Sequence, residues 1–339
     1  MASEKTRSVY SSDFESYRNS VKNLMDSEIQ SLLPAVAELK LRKQIEYALH
    51  TKGKRLRPTL VLLSGESIGA TKEQLRKLGL AIELLHLATL VHDDILDEDL
   101  FRRNSISVYA KWSVKDAILV GDMLASLSLS LCKGYKRRIL DVMIDTCAQL
   151  SDGEYSDVKL ARTALTEEDY FKKIRKKSAS LFKAACECGA LAANGSPSET
   201  NALKLYGENY GVAYQIRDDI ADVETSLNDL QTDIDKFRAT LPIIHAYESA
   251  NDEKQALLEK LLSAKTQESL RAFLNETQVY FKNGSLCYCA SKTDEYIDRA
   301  VASLVPLKES IFKNYLIEMA ELLRIKEPEI GVKKLIFET

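Results

Sequence analysis

Glycine and proline are scarce in this chain, at 13 and 6 of 339 residues, against usual shares of roughly 7% and 5%. So few breakers exclude a turn-rich all-β fold and leave room for long helices. A surplus of one charge is also missing: 47 basic and 50 acidic residues give a net charge of −3, and with it goes any global electrostatic case for a nucleic-acid partner. No run reaches the roughly 18 uncharged apolar residues of a membrane span; the best, 117–131, is interrupted by Asp122 and several serines. The first twenty residues carry charges throughout and lack the apolar segment of a secretory signal. A soluble, cytoplasmic protein without stable membrane insertion is expected. Six cysteines are too few for a disulfide scaffold at this length. Four of them form C-x-C pairs, Cys186/Cys188 and Cys287/Cys289. Residues two apart on a helix point about 200° away from each other, so reduced thiols are expected rather than a shared metal.

What is present is helical periodicity. With 45% hydrophobic residues the chain can bury a large core, so disorder is excluded. Apolar residues recur at three- and four-residue spacing over 13–50, 114–133, 138–159, 167–193, 199–224, 240–248, 253–262, 265–281, 286–303 and 308–324. The run 76–98 is apolar nearly all round, which marks a central buried helix. Breaks fall at Gly53, Asn104, Gly195–Pro197 and Asn283–Gly284, and nothing resembles an internal linker. The pattern predicts an all-α protein over 1–339, a single-domain bundle of about ten or more helices, with residues 1–12 as a flexible N-terminal tail.

The central helix carries Glu83, His86, Asp93, Asp94 and Asp97 among apolar neighbours. His86 precedes Asp93 by seven residues and Asp97 follows it by four, so all three share nearly one face. Carboxylates stacked at i and i+4 repel each other, and a divalent cation removes that penalty. All-oxygen ligands favour Mg²⁺ over Zn²⁺. A second cluster with the same i, i+1, i+4 spacing, Asp218, Asp219 and Asp222, ends another apolar run. If the two helices face each other, six carboxylates bracket a space suited to several Mg²⁺ ions gripping a diphosphate. Basic partners are at hand in Lys54, Arg55 and Arg57, in Arg102 and Arg103 just after the first cluster, and in Lys176 and Lys177 before Ser178. Two anion sites follow, one reached through metal and one by direct contact.

In this order, GKRLRP, HLATLVHDDILDEDLFRRN, KIRKKSASLF, GVAYQIRDDIAD and DIDKFRATLP resemble the trans-isoprenyl diphosphate synthases. The resemblance implies the type I isoprenoid synthase fold, helices around a deep central cavity, and head-to-tail prenyl transfer in a homodimer. It implies three Mg²⁺ ions held between the clusters, with Asp93, Asp97, Asp218 and Asp222 as ligands. Asp93, Asp94, Asp97, Arg102, Lys177, Asp218 and Asp219 would carry the chemistry. Arg102, Lys177, Ser178 and Gln215 would touch the allylic diphosphate, Lys54, Arg57, His86 and Arg103 would hold isopentenyl diphosphate, and Arg55 would be a further substrate-binding residue. Several positions depart from the family pattern. Asn104 stands where Gly is usual, Tyr109 and Trp112 replace a His/Gly pattern, Asp157 stands near a common Gln, and Ser178 replaces Thr. After the second cluster, Asn228, Asp229 and Phe237–Arg238 stand where the family shows GK pairs, and Arg238 or Lys236 would replace a missing substrate lysine.

Product length is read below the first cluster. One helical turn, about 5.4 Å, is close to the length of one isoprene unit. Ala88 and Thr89, one turn before Asp93, are small, whereas aromatic residues there accompany short products in the family. With Leu85 further down as a floor, C20 (geranylgeranyl diphosphate) or longer is expected. The alternative for Ala88 and Thr89 is that they simply let helices pack closely. A class I terpene cyclase would share the aspartates but not need GKRLRP, and a regulatory subunit of a heteromeric synthase would tend to have lost the aspartates.

Overall fold

The computed structural model describes residues 11–51, 53–103, 105–160, 166–226, 240–263, 266, 268–269, 272, 276 and 284–325. Helices dominate. They are α1 (Ser12–Val36), α2 (Arg42–Leu49), α3 (Leu56–Glu66) and α4 (Lys72–Leu96), a hairpin of β1 (Phe101–Arg102) and β2 (Ser105–Ile106), then α5 (Val108–Lys111), α6 (Val114–Cys132), α7 (Arg137–Leu160) and α8 (Glu167–Ile174). A π-helical turn, Arg175–Ala179, leads into α9 (Ser180–Ala192). It is followed by α10 (Pro197–Ser226), α11 (Leu241–Glu248), α12 (Asp252–Ser263), α13 (Ser285–Ser303) and α14 (Ile311–Glu321).

The all-α expectation holds, with specific differences. Leu56–Glu66 was not expected as a helix. Its start is irregular, with Arg55 in the left-handed region at φ 52°, and Pro58 sits in the first turn, where no N–H is needed. The two-residue strands of the hairpin, which pair Phe101 with Ile106 and Arg102 with Ser105, lack any alternating pattern. The run 167–193 is not one α-helix but is interrupted by the π turn. Of the tail expected over 1–12, residues 1–10 lie outside the described residues. Ser11 caps α1 and Ser12 begins it. The helix expected over 265–281 lies for the most part outside the described residues.

The chain groups into two compact units. The first comprises Met1–Ala148, Leu181–Gly207 and Ser303–Leu322, the second Gln149–Ser180, Glu208–Ala302 and Leu323–Thr339. In the first unit α4 is the central element. It starts four residues earlier than its apolar run because Thr71 and Gln74 form a capping box. It buries Leu75, Leu78, Leu80, Ile82, Leu84, Leu85 and Leu87 on several sides. α6 packs along it through small residues. Ser128 donates to the Ala81 carbonyl at 2.6 Å, and a Cβ at Gly121 would lie 2.1 Å from the His92 ring. The cysteines stand as separate thiols, and burial pushes those of Cys132 and Cys186 up to about 11 and about 12. Among the described residues no helix is long and apolar enough to cross a membrane.

A buried ion pair ties α4 to the start of α3. Arg55 donates to Glu83 at 2.6 Å and to Asp26 at 3.3 Å, with the Arg55 and Glu83 side chains only 5% and 3% exposed. A non-glycine residue in the left-handed region costs about 1–2 kcal/mol, and these contacts hold Arg55 there. Replacing Arg55 by Met leaves a buried carboxylate without its cation, a loss of about 3–5 kcal/mol. Urea unfolding is expected to show that loss for Arg55→Met and recovery of most of it in Arg55→Met/Glu83→Leu. A double variant as unstable as the single one would contradict the ion pair's role.

Candidate active site

At the C-terminal end of α4 the three aspartates part company. Asp94 is 3% exposed, and the Arg102 Nε donates to it at 2.6 Å. Arg102 also reaches Asp99 at 3.1 Å, so the hairpin is pinned back onto the helix end. Asp93 and Asp97 are only half-buried and lie one turn apart on the same face. Burial lifts the Asp94 carboxyl above the usual carboxylate range against the opposing pull of Arg102. Burial works against the Arg102 cation, yet Asp94 and Asp99 hold its pKa above the usual arginine value.

The second unit repeats this division at the end of α10. Asp218 and Asp222 are exposed, and Asp219 between them is 4% exposed. Asp219 accepts from the Tyr170 hydroxyl at 2.7 Å, the Gln215 amide at 2.8 Å and the Leu241 N–H at 3.1 Å. Burial pushes its carboxyl up to about 6, and the hydrogen bonds from Tyr170 and Gln215 oppose that rise. The spacing alone orders this split. Residues i and i+4 share a face, while i+1 is turned by about 100° into the core.

Basic groups gather in each unit. In the first, the Arg57 guanidinium lies 3.0 Å from the His86 Nε2 and stacks over the Phe182 ring at 4.2 Å. The His86 pKa is held well below 6.5 by burial and then by Arg57, Arg103, Arg102 and Arg55. The ring is therefore neutral, and its Nε2 accepts from Arg57, which leaves the proton on Nδ1. Gly53 explains its own place in GKRLRP, because a Cβ there would lie 2.5 Å from the Arg103 guanidinium. Arg103 and Lys54 are exposed. Arg55 departs from the expectation that it binds substrate: it is buried and paired with Glu83 and Asp26.

In the second unit the π turn presents Lys177 and Ser178. Such single-turn π segments recur at functional sites. α7 approaches this turn so closely that a Cβ at Gly153 would lie 2.4 Å from the Lys177 N. Lys177 pairs with Glu154 at 3.0 Å, and Lys176 pairs with Asp152. The Ser178 hydroxyl donates to the Gln215 Oε1 at 2.6 Å. Glu154, Tyr170 and Gly153 were missed from sequence. Arg238, with Asn228, Asp229, Lys236 and Phe237, lies outside the described residues, as do Asn104 and the Asp157 side chain. Among the remaining chain-length positions, Ala88 and Leu85 are buried at 3% each, and Thr89 is half-buried and donates to the His86 carbonyl at 2.8 Å.

Among the described residues no three His, Cys, Asp or Glu side chains converge as a ready metal cage. Paired carboxylates one turn apart still fit Mg²⁺, which is held by one or two carboxylates together with substrate phosphates and water.

The model for the polyprenyl synthetase family matches residues 38–277. A short chain isoprenyl diphosphate synthase of Methanothermobacter thermautotrophicus is 31% identical over 314 residues, covering 90% of this chain and 96% of the relative. An all-trans-nonaprenyl-diphosphate synthase of Rhodobacter capsulatus is 31% identical over 285 residues, 82% and 86% of the two chains. The crystal structure of a polyprenyl synthase from Caulobacter crescentus, complexed with calcium and isoprenyl diphosphate, matches with a TM-score of 0.79 at 26% identity, covering 92% of this chain and 95% of that one. The chain belongs to the polyprenyl synthetase family, the trans-isoprenyl diphosphate synthases, and is a prenyltransferase.

The neutral state of His86 has a pH signature. A histidine with a depressed folded pKa contributes stability above its unfolded pKa of about 6.5, and that stability is lost as pH falls below it. Thermal unfolding of the native protein is expected to weaken between pH 7.5 and 5.5, by at most about 1.4 kcal/mol per pH unit for this one proton. His86→Gln, which still accepts from Arg57, should weaken less over the same range; equal slopes would contradict the neutral ring.

Proposed function

We propose that this prenyltransferase condenses isopentenyl diphosphate with an allylic diphosphate, with Mg²⁺, into an all-trans polyprenyl diphosphate of C20 or longer. The observation that carries this reading is the same division at both clusters, with two outward carboxylates one turn apart and one buried anchor. Asp93, Asp97, Asp218 and Asp222 are the proposed metal ligands, and Asp94 and Asp219 hold them in place. Mg²⁺ would stabilise the charge on the departing diphosphate. Lys177, Ser178, Gln215 and Arg102 serve the allylic diphosphate. Lys54, Arg57, Arg103 and neutral His86 serve isopentenyl diphosphate, for which a nest of guanidiniums is a direct-contact anion site. Arg238 stays within the proposed substrate set on sequence grounds alone.

The chemistry needs little of the side chains beyond position and charge. The allylic C–O bond breaks with its electron pair leaving on diphosphate. The isopentenyl double bond attacks the allylic carbon, and the proton that restores an alkene goes to the released diphosphate. No side-chain base is required. Lys177 and Arg102 bind the leaving oxygens, while the Asp94–Arg102 pair keeps the hairpin arginines oriented.

On α4 Thr89 lies about 40° from Asp93 around the helix axis, and Ala88 about 140°. Ala88 packs in the cluster that includes Ala117, Val120 and Leu124 of α6. Thr89 therefore makes the cleaner probe, since Ala88→Phe also overpacks a core site at about 1–3 kcal/mol. Incubation with Mg²⁺, isopentenyl diphosphate and each of the C5, C10, C15 and C20 allylic diphosphates is expected to give a ladder ending at C20 or beyond by mass spectrometry. Thr89→Phe should shorten it. Hydrocarbon without condensation would make the protein a cyclase, and no turnover would favour a regulatory subunit.

Neither compact unit is a continuous piece of chain, and we propose that the two fold as one domain. A homodimer is also proposed, because α6 exposes Val114, Ile118 and Leu119 at about half their surface. Sedimentation is expected to show a dimer that Ile118→Lys/Leu119→Glu converts to monomer, and a monomeric native protein would remove the proposal.

A further inference from the structure

We infer that Tyr170 is a positioning residue for the allylic-diphosphate side of the site, acting through Asp219 and Gln215 to fix what Ser178 offers to substrate. The inference rests on the prenyl-transfer reading and concerns the second unit alone. The hydrogen-bond chain runs Tyr170 OH to Asp219 Oδ2 at 2.7 Å, Gln215 Nε2 to Asp219 Oδ1 at 2.8 Å, and Ser178 Oγ to Gln215 Oε1 at 2.6 Å.

Each link has one sense only. A carboxylate accepts, so the Gln215 NH₂ must face Asp219. Inverting the amide would set its oxygen against the carboxylate. The amide oxygen is thereby turned toward Ser178 and takes its single hydroxyl proton. Ser178 then presents only lone pairs on its outer side. It matches a proton donor, either an ammonium such as that of Lys177 beside it in sequence or a hydrogen of metal-bound water. It therefore serves the diphosphate through that donor and not by the direct contact that the family resemblance implies. Asp219 itself, with three donors already placed on it, is an anchor of the α10 end and not a metal ligand. Tyr170 on α8 and the Leu241 N–H at the start of α11 tie that anchor to two further elements.

Tyr170 is fully buried, with 1% of its surface exposed, and Phe at this position keeps the ring and removes only the hydroxyl. In steady-state kinetics Tyr170→Phe is expected to raise the KM for the allylic diphosphate on the order of tenfold, the scale of one hydrogen bond to a charged acceptor. The KM for isopentenyl diphosphate and the Mg²⁺ concentration for half-activation should stay within twofold. Gln215→Met breaks the same chain one link nearer to Ser178. The double variant Tyr170→Phe/Gln215→Met is expected to be no worse than Gln215→Met alone, since both act through one path.

Calorimetric titration with farnesyl S-thiolodiphosphate and Mg²⁺ reads the same chain without turnover, and affinity should fall about tenfold in Tyr170→Phe. A native protein that binds this analogue but never condenses the allylic diphosphate itself with isopentenyl diphosphate would overturn the functional reading and leave the positioning test intact. Unchanged analogue affinity, equal shifts in both KM values, a shifted Mg²⁺ requirement or additive losses in the double variant would overturn the role of Tyr170.

Discussion

Two carboxylates one turn apart at the end of a mostly apolar helix repel each other, and in this chain each such pair is kept in place by a third, buried aspartate. Asp94 does this with Arg102, and Asp219 does it with Tyr170, Gln215 and the Leu241 N–H. Without those anchors the helix ends would fray where like charges sit, because the last-turn carbonyls already bring negative charge there. On the proposed reading, a divalent ion and a diphosphate would relieve that repulsion. That is an arrangement in which a site is destabilised alone and stabilised by its ligands.

The anchors differ in kind, and the difference matters electrostatically. Asp94 is neutralised by a cation drawn from a hairpin only a few residues away, so the hairpin's other arginine, Arg103, is fixed in turn against Gly53. Asp219 is instead bonded, among the described residues, by three neutral donors, with the Lys173 charge close enough to oppose the rise in its pKa. A buried charge held by neutral donors keeps its field, which extends to the exposed Asp218 and Asp222. The first cluster thus brings a directly bonded counter-cation with it, while at the second the Lys173 charge acts on Asp219 without a hydrogen bond among those above. On the basic side, His86 among arginines stays uncharged, which limits repulsion inside the nest.

Much of the site was legible because it is local. The i, i+1, i+4 spacing fixes which aspartates share a face, and the apolar run before each cluster places it at the end of a buried helix. What was not legible depends on distant partners. Arg55 reads as one more cation of GKRLRP, and only Glu83, 28 residues on and packed against it, makes it structural. A signal existed: a glutamate inside an apolar helix demands a counter-charge. The helix Leu56–Glu66 was hidden by Pro58 and by a left-handed residue before it. The π turn has no periodicity signature of its own, since one inserted residue shifts the phase without breaking the apolar run.

The same reasoning bears on what sets product length. Ala88 and Thr89 are adjacent, yet a helix turns them apart by about 100°. Thr89 keeps near the Asp93 face, and its hydroxyl is already bonded to the His86 carbonyl, so its methyl is the part left to bound an apolar chain. Ala88 is turned into the packing with α6, where its size governs how closely α4 and α6 approach. A bulky residue at 89 would obstruct the face directly, whereas one at 88 would act by moving a helix. On the proposed reading, two neighbouring small residues would limit chain growth by different physical routes, one steric and one through packing. Chain length would then be a property not of either side chain alone but of the face that α4 presents once α6 has set its position.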